Sequence, residues 1–197
     1  MSKTKFNTVK NMILQGQNHV SGDTISIEFD VQKSDINNIV VTGGVIGNFY
    51  PEKNNSKISS DISYSADKIE YDLNKETSLL TDNAKIIYEG TELSGGEIFA
   101  DWQLNMLEAR IKDDIYPSVS GFSDNPTYGE LLVYNLENKK GKIIKGNTHY
   151  GSGNAAMYYK GDKIYRNDDL TYHLSNSIFT SCDHSNPHYF FKSKKMK

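Results

Sequence analysis

Apolar and polar residues alternate one for one in segment after segment of this 197-residue chain. Ile25-Ser26-Ile27-Glu28-Phe29 sets Ile, Ile and Phe on one side and Ser and Glu on the other. Lys68 to Leu73, Leu132 to Leu136 and Asp168 to Leu174 repeat the arrangement. Side chains two apart share a face of an extended backbone, so each segment reads as a strand with one buried face and one wet face. Between them lie Asn74-Lys75-Glu76, Glu137 to Lys140, Lys160-Gly161-Asp162 and Asn167-Asp168, breaks with the length and chemistry of hairpin turns.

The alternation carries an internal repeat. YDLNKETSLLTDNAKIIY from Tyr71 can be laid over YNLENKKGKIIKGNTHY from Tyr134. Each copy reads Tyr, Asp or Asn, Leu, a charged turn, a second apolar strand, Asn, and an aromatic close. YHLSNSIFTSCD from Tyr172 keeps the opening, and FDVQKSDINNIVVTGG from Phe29 is a looser relative. Hairpins stacked with one apolar face suit a sandwich, a jelly roll or a solenoid.

Composition agrees with an all-β domain and excludes several classes. Apolar residues are 37% of the chain, yet Tyr is abundant at 13 and Phe adds 8. A net charge of -3 gives no basic field to gather nucleic acid, so no nucleic-acid partner is expected. No apolar run approaches the ~18 residues of a membrane-spanning helix. The single cysteine, Cys182, excludes an internal disulfide framework and a multi-cysteine zinc site. We expect one domain over residues 25–197, with 1–24 as an N-terminal extension or lead-in. The chain stops inside a strand-like pattern, which suggests a fragment of a longer protein.

Residues 97–112 resist the pattern, because Phe99, Trp102, Met106 and Ala109 fall at helical spacing among good helix formers. Against a helix, Ala100-Asp101 matches Ala66-Asp67 at the head of the earlier repeat, and Leu107, Ala109 and Ile111 alternate. Strands are the favoured reading and one amphipathic helix the alternative. Residues 48–60 and 115–127, with their prolines and polar runs, read as loops.

Catalytic chemistry is thinly represented. Cys182, Asp183, His184 and His188 lie within seven residues and could suggest a thiol nucleophile or a metal site. Such chemistry needs the groups to meet in space, and adjacent strand residues point to opposite faces. A strand ending in an Asp-Ser-Asn-Pro turn explains them as well. No nucleophile elbow, phosphate loop or metalloprotease helix occurs, so no enzyme, metal or cofactor is expected. Gly43-Gly44 and Gly95-Gly96 read as turns or bulges. Tyr64, Tyr71, Tyr88, Tyr134, Tyr150, Tyr158, Tyr159 and Tyr172 could stack on sugars, but strand-core packing accounts for them equally.

SADKIEYDLNKETSLLTDNAKIIYEG, Ser65 to Gly90, resembles the OstA-like repeat of bacterial lipopolysaccharide-transport proteins: an Ala-Asp pair, an alternating strand, Tyr-Asp, a charged turn and an Asn-Ala. GELLVYNLENKKGKII (Gly129 to Ile144) and FTSCDHSNPHYFFKSKK (Phe179 to Lys195) resemble the N-terminal periplasmic domain of the LptD family. The resemblance implies an open β-jelly roll of stacked antiparallel hairpins, two facing sheets splayed like a taco around lipid acyl chains. It implies no catalytic residues, a periplasmic location attached to the outer membrane in the parent protein, and an outer-membrane β-barrel beyond the domain. Cys182 matches a position that can form an interdomain or intermolecular disulfide in that family.

Under the resemblance, the inward parity of the strands becomes the lipid lining: Ile25, Ile27 and Phe29; Ile69, Tyr71 and Leu73; Ala84, Ile86 and Tyr88; Leu132, Tyr134 and Leu136; Leu170, Tyr172 and Leu174. The partners implied are lipopolysaccharide or a related lipid, and other jelly-roll modules of the pathway joined by edge-strand pairing. The alternatives are a periplasmic bridge module of the same pathway, an adhesin or carbohydrate-binding sandwich, and a Cys-dependent hydrolase.

Overall fold

The computed structural model describes residues 7–8, 12–30, 35–51, 57–58, 60–121, 125–167 and 171–197. They form sixteen strands: β1 (Asn7–Thr8), β2 (Met12–Gln15), β3 (Asn18–Ser21), β4 (Thr24–Asp30), β5 (Asp35–Phe49), β6 (Ile62–Asp72), β7 (Thr77–Tyr88), β8 (Thr91–Asp101), β9 (Met106–Arg110), β10 (Ser118–Ser120), β11 (Thr127–Tyr128), β12 (Leu131–Asn135), β13 (Gly141–Tyr150), β14 (Met157–Arg166), β15 (Tyr172–Thr180) and β16 (Phe191–Met196). One 3₁₀ turn, Gly153–Ala155, interrupts them. All strand pairs are antiparallel.

The hydrogen-bonded strands form one sheet, but its long strands are bent in the middle, which makes two layers. Pairing on the C-terminal part of β5 joins β3 to β6, and pairing on its N-terminal part joins β4 to β6. Between β8 and β13 the layers part completely: β10 and β11 bridge them in one layer, β9 and β12 in the other. The ring centroids of Tyr64 and Tyr71, both on β6, lie 6.4 Å apart. Seven residues of straight strand span about 23 Å, so the two arms of β6 must face each other. The all-β fold of two facing sheets follows from this bend.

The bend follows a row of bulges. Register shifts fall between Thr42 and Val45, Ser65 and Lys68, and Thr81 and Ala84. Gly43 (φ 81°), Gly44 (56°), Asp82 (61°) and Asn83 (52°) occupy the left-handed region there, as do Lys145 (48°) and Asn176 (47°) on the same line further along. Gly and Asn enter that region most cheaply, and an extra residue in one strand bends it. Asn83 Nδ2 donates to Asp67 across the bend at 2.8 Å, and Asn176 Nδ2 to Asp162 at 2.9 Å. This line is the spine of the fold.

The favoured reading of residues 97–112 as strands holds: β8 and β9 are joined by a turn, and Leu107 and Ala109 alternate into the core, 1% and 0% exposed. Other expectations are corrected. Lys160-Gly161-Asp162 is no hairpin turn but the bend of β14. Within 115–127, β10 and β11 are short strands rather than loop. Residues 12–21, set outside the repeat domain, supply β2 and β3, and Ile13 and Val20 join the core.

Candidate functional site

Between the arms runs an apolar slot. Its middle is filled by Ile86, Leu93 and Val119 from one layer and Ile98, Leu107 and Leu132 from the other, all 2% exposed or less. Toward each end the filling thins into a cavity. The N-terminal cavity, about 180 Å³, is lined by Ile13, Val20 and Ile39 with Phe49, Tyr64, Tyr71, Leu73 and Trp102. The C-terminal cavity, about 290 Å³, lies between Tyr150 and Tyr159 of one arm and Ile164, Tyr172, Leu174 and Met196 of the other.

The edges continue the slot as uncovered apolar surface. On edge strand β4, Ile25 and Ile27 pair directly with buried Val41 and Ile39, which puts them on the inner face. Yet Ile27 is 40% and Phe29 54% exposed, since no further strand covers them. At the other edge Tyr159, Phe179 and Phe191 form a stacked ladder across β14, β15 and β16, with centroids 6.1 and 4.9 Å apart. Phe191 ends that ladder 62% exposed.

The anticipated lining residues therefore divide. Ile69, Ala84, Ile86, Tyr88, Leu132, Tyr134 and Leu136 are buried among core side chains. Ile25, Tyr71, Leu73, Tyr172 and Leu174 are half-buried and pack against that core; Ile27 and Phe29 are exposed, and Leu170 lies outside the described residues. The alternation did not reveal Phe49, Trp102, Tyr159 and Phe179. Phe49 stacks on Trp102 with centroids 5.7 Å apart, closing the lips of the slot opposite the spine. Trp102 belongs to a turn, so strand alternation could not point to it, and the helical spacing that did include it was not its structural role; its Nε1 donates to buried Ser78 at 2.7 Å.

Burial pushes the phenols upward in pKa. Desolvation raises Tyr64 and, aided by the neighbouring Tyr64 hydroxyl, raises Tyr71 well above the usual phenol value. Tyr172 is pushed up to about 12, mainly by burial. A folded-state pKa above the unfolded one means the native state holds its proton longer. Stability is then intact below pH ~10 and falls as pH rises from about 10 through 12. Absorbance titration of phenolate should show a late class of tyrosines that ionises only as the fold melts, and Tyr172→Phe should shrink that class.

Cys182 lies outside the slot, in the loop between β15 and β16. Its thiol is 3.5 Å from His188 Nδ1, and the His184 and His188 rings meet edge to face at 4.8 Å. Among the described residues no group of three or more His, Cys, Asp or Glu side chains is placed to hold a metal ion. The exposed ion pairs, such as Lys85–Glu92 and Lys145–Glu130, decorate the outer faces.

Residues 10–105 match the family described as LptA/(LptD N-terminal domain) LPS transport protein. Among solved structures the chain is similar to LptH of Pseudomonas aeruginosa, described as the LptA homologous periplasmic component of the conserved lipopolysaccharide transport device. That likeness has 14% identity and a TM-score of 0.46, and covers 67% of this chain and 93% of the other. No curated protein matches the chain. The matched stretch, residues 10–105, holds β2 to β8 and the N-terminal cavity, so the similarity to the LptA/LptD N-terminal family falls on the half of the chain that builds that cavity.

Proposed function

We propose that this domain is a lipopolysaccharide-transport module that shelters acyl chains between its two arms and passes them along the slot. The observation that carries the reading is the uncovered apolar face at both ends of one interior, Ile27 and Phe29 at one edge and Phe179 and Phe191 at the other. A soluble sandwich normally closes such a face with polar residues or a further strand. An acyl chain in water costs about 0.8 kcal/mol per CH₂, so apolar contact from one edge to the other keeps the barrier at each step small. The phosphorylated sugar head stays outside. With a net charge of -3, the module relies on apolar contact rather than electrostatic capture.

The exposed edges β4 and β16 pair with neighbouring modules in the periplasm, and in the parent protein the lipid is handed to an outer-membrane barrel. A bridge module like LptA would use the same slot and edges. The domain acts by binding, without covalent chemistry, and Cys182 serves at most to tie its loop to another domain. Photo-crosslinking side chains at Tyr71 and Tyr172 should label with lipopolysaccharide, while one at outward-facing Lys85 should not. Labelling at neither tyrosine would overturn the reading.

A further inference from the structure

The net charge of -3 hides a segregation of sign: residues 184–197 hold four lysines and no Asp or Glu. Elsewhere outer-face lysines meet carboxylates, as Lys68 meets Glu70, Lys75 meets Asp72 and Lys85 meets Glu92. Among the described residues no carboxylate pairs with Lys160, Lys163, Lys192, Lys194 or Lys195. Strand register gathers these lysines on one surface. Lys192 lies across Ile178 from Lys160, and Lys195 lies across Ser175 from Lys163. Phe191 stacks on Phe179 on the inner face, so alternation turns Phe190 and Lys192 outward. Phe190 is 53% exposed and Tyr189 54%. The acidic neighbours are Asp162, bonded to Asn176 Nδ2 at 2.9 Å, and Asp183 in the loop, so positive charge dominates.

Lysines on an edge strand discourage unwanted strand pairing, but that role explains only those of β16. Lys160 and Lys163 stand two strands in, on β14, and no edge requires Tyr189 and Phe190 to be exposed. Unpaired like charges on one sheet face repel each other, and an anionic partner relieves that repulsion. The partner must also accept two exposed rings and lie against a broad sheet face. A bilayer containing anionic phospholipids does both: its phosphates meet ammonium groups, and its interface is where aromatic rings settle. A soluble polyanion offers the rings nothing. We infer that the outer face of β14 to β16 docks on an anionic membrane surface, with Lys160, Lys163, Lys192 and Lys195 on lipid phosphates and Tyr189 and Phe190 among the headgroups. Side chains stand perpendicular to the sheet, so this face stays free while the edge of β16 pairs with a neighbouring module. The inference goes beyond acyl sheltering, because it fixes which end of the slot meets a bilayer.

The test mixes the whole chain with vesicles of phosphatidylcholine alone, or with about one-third phosphatidylglycerol, and reads bound protein by flotation. Each lysine near an anionic surface contributes about fivefold to binding, so Lys192→Gln combined with Lys195→Gln should weaken binding to the anionic vesicles about 25-fold at low salt. Phe190→Ser should weaken it severalfold. Lys68→Gln combined with Lys75→Gln removes the same charge from β6 and its turn, and should leave binding within about twofold of the wild type. Equal binding to both vesicle types overturns the proposal, because apolar contact alone would then hold the protein. Equal loss in the two lysine pairs overturns it too, since overall charge rather than this face would be responsible. Binding to neither vesicle leaves the face to a protein neighbour and also overturns it. Acyl uptake, followed by displacement of a fluorescent naphthylamine, should be unchanged in Lys192→Gln with Lys195→Gln. Lost uptake there would assign these lysines to the slot and overturn the docking, whereas absent uptake in the wild type would sink only the lipid-sheltering reading.

Discussion

Leu132→Ala is expected to destabilise the domain by about 2–5 kcal/mol, the range for truncating a fully buried leucine whose surroundings relax only partly. Leu132 sits on β12, 2% exposed, where β9 and β13 flank it. At this chain length each kcal/mol moves the thermal midpoint by about 2–4 °C, so a fall on the order of 10 °C should be seen. The functional consequence is distinctive. Leu132 belongs to the filling that separates the two end cavities, so its loss extends apolar empty space between them. An acyl ligand that occupies the new space should restore part of the lost midpoint, and restore more of it than it adds to wild type. Equal shifts in both proteins would mean that ligand never reaches the centre of the slot, and transport would then have to run along the lips.

The same filling explains what alternation could and could not reveal. Ile69, Leu132 and Leu136 were legible as inward because a strand's period is two and its buried face is apolar. Ile27 and Phe29 were equally legible as inward, and their register against Ile39 and Ile36 supports that. Their exposure was not legible, since it depends on which strand lies beyond β4, and that is a property of topology. The bend was hidden for a similar reason. Gly43-Gly44 was readable as a bulge, whereas Asp82-Asn83 and Lys160-Gly161-Asp162 look like any polar turn until pairing shows that the strand continues through them. Bent strands also explain the repeat: its Asn-Ala marks the spine in the middle of β7, not a boundary between strands. Phe49 and Trp102 could not be found at all, because they meet only after β5 and β8 have folded over the same line.

If the spine fixes the angle between the arms, its closest backbone approach should be its least tolerant position. That position is Gly96, where an added Cβ would stand 2.5 Å from the Lys112 carbonyl oxygen and 2.9 Å from its nitrogen. Both obstacles are backbone, so no side chain can swing aside, and Gly96→Ala must push Lys112 away from β8. Overpacking of this kind costs about 1–3 kcal/mol. The displacement also strains the Lys112–Asp82 ion pair at 2.5 Å, which ties the two sides of the bend together. Gly44 provides the contrast: its φ of 56° disfavours alanine, but an added Cβ there meets nothing within 4 Å. Gly44→Ala should therefore lose only the left-handed backbone penalty, about 1–2 kcal/mol. Denaturant midpoints of the two variants separate clash from strain. Gly96→Ala should also change lipid uptake at equal stability, because it alters the opening of the arms, whereas Gly44→Ala should leave uptake unchanged. If both variants take up lipid like the wild type, the spine only shapes the domain, and the width of the slot is set at the lips by Phe49 and Trp102.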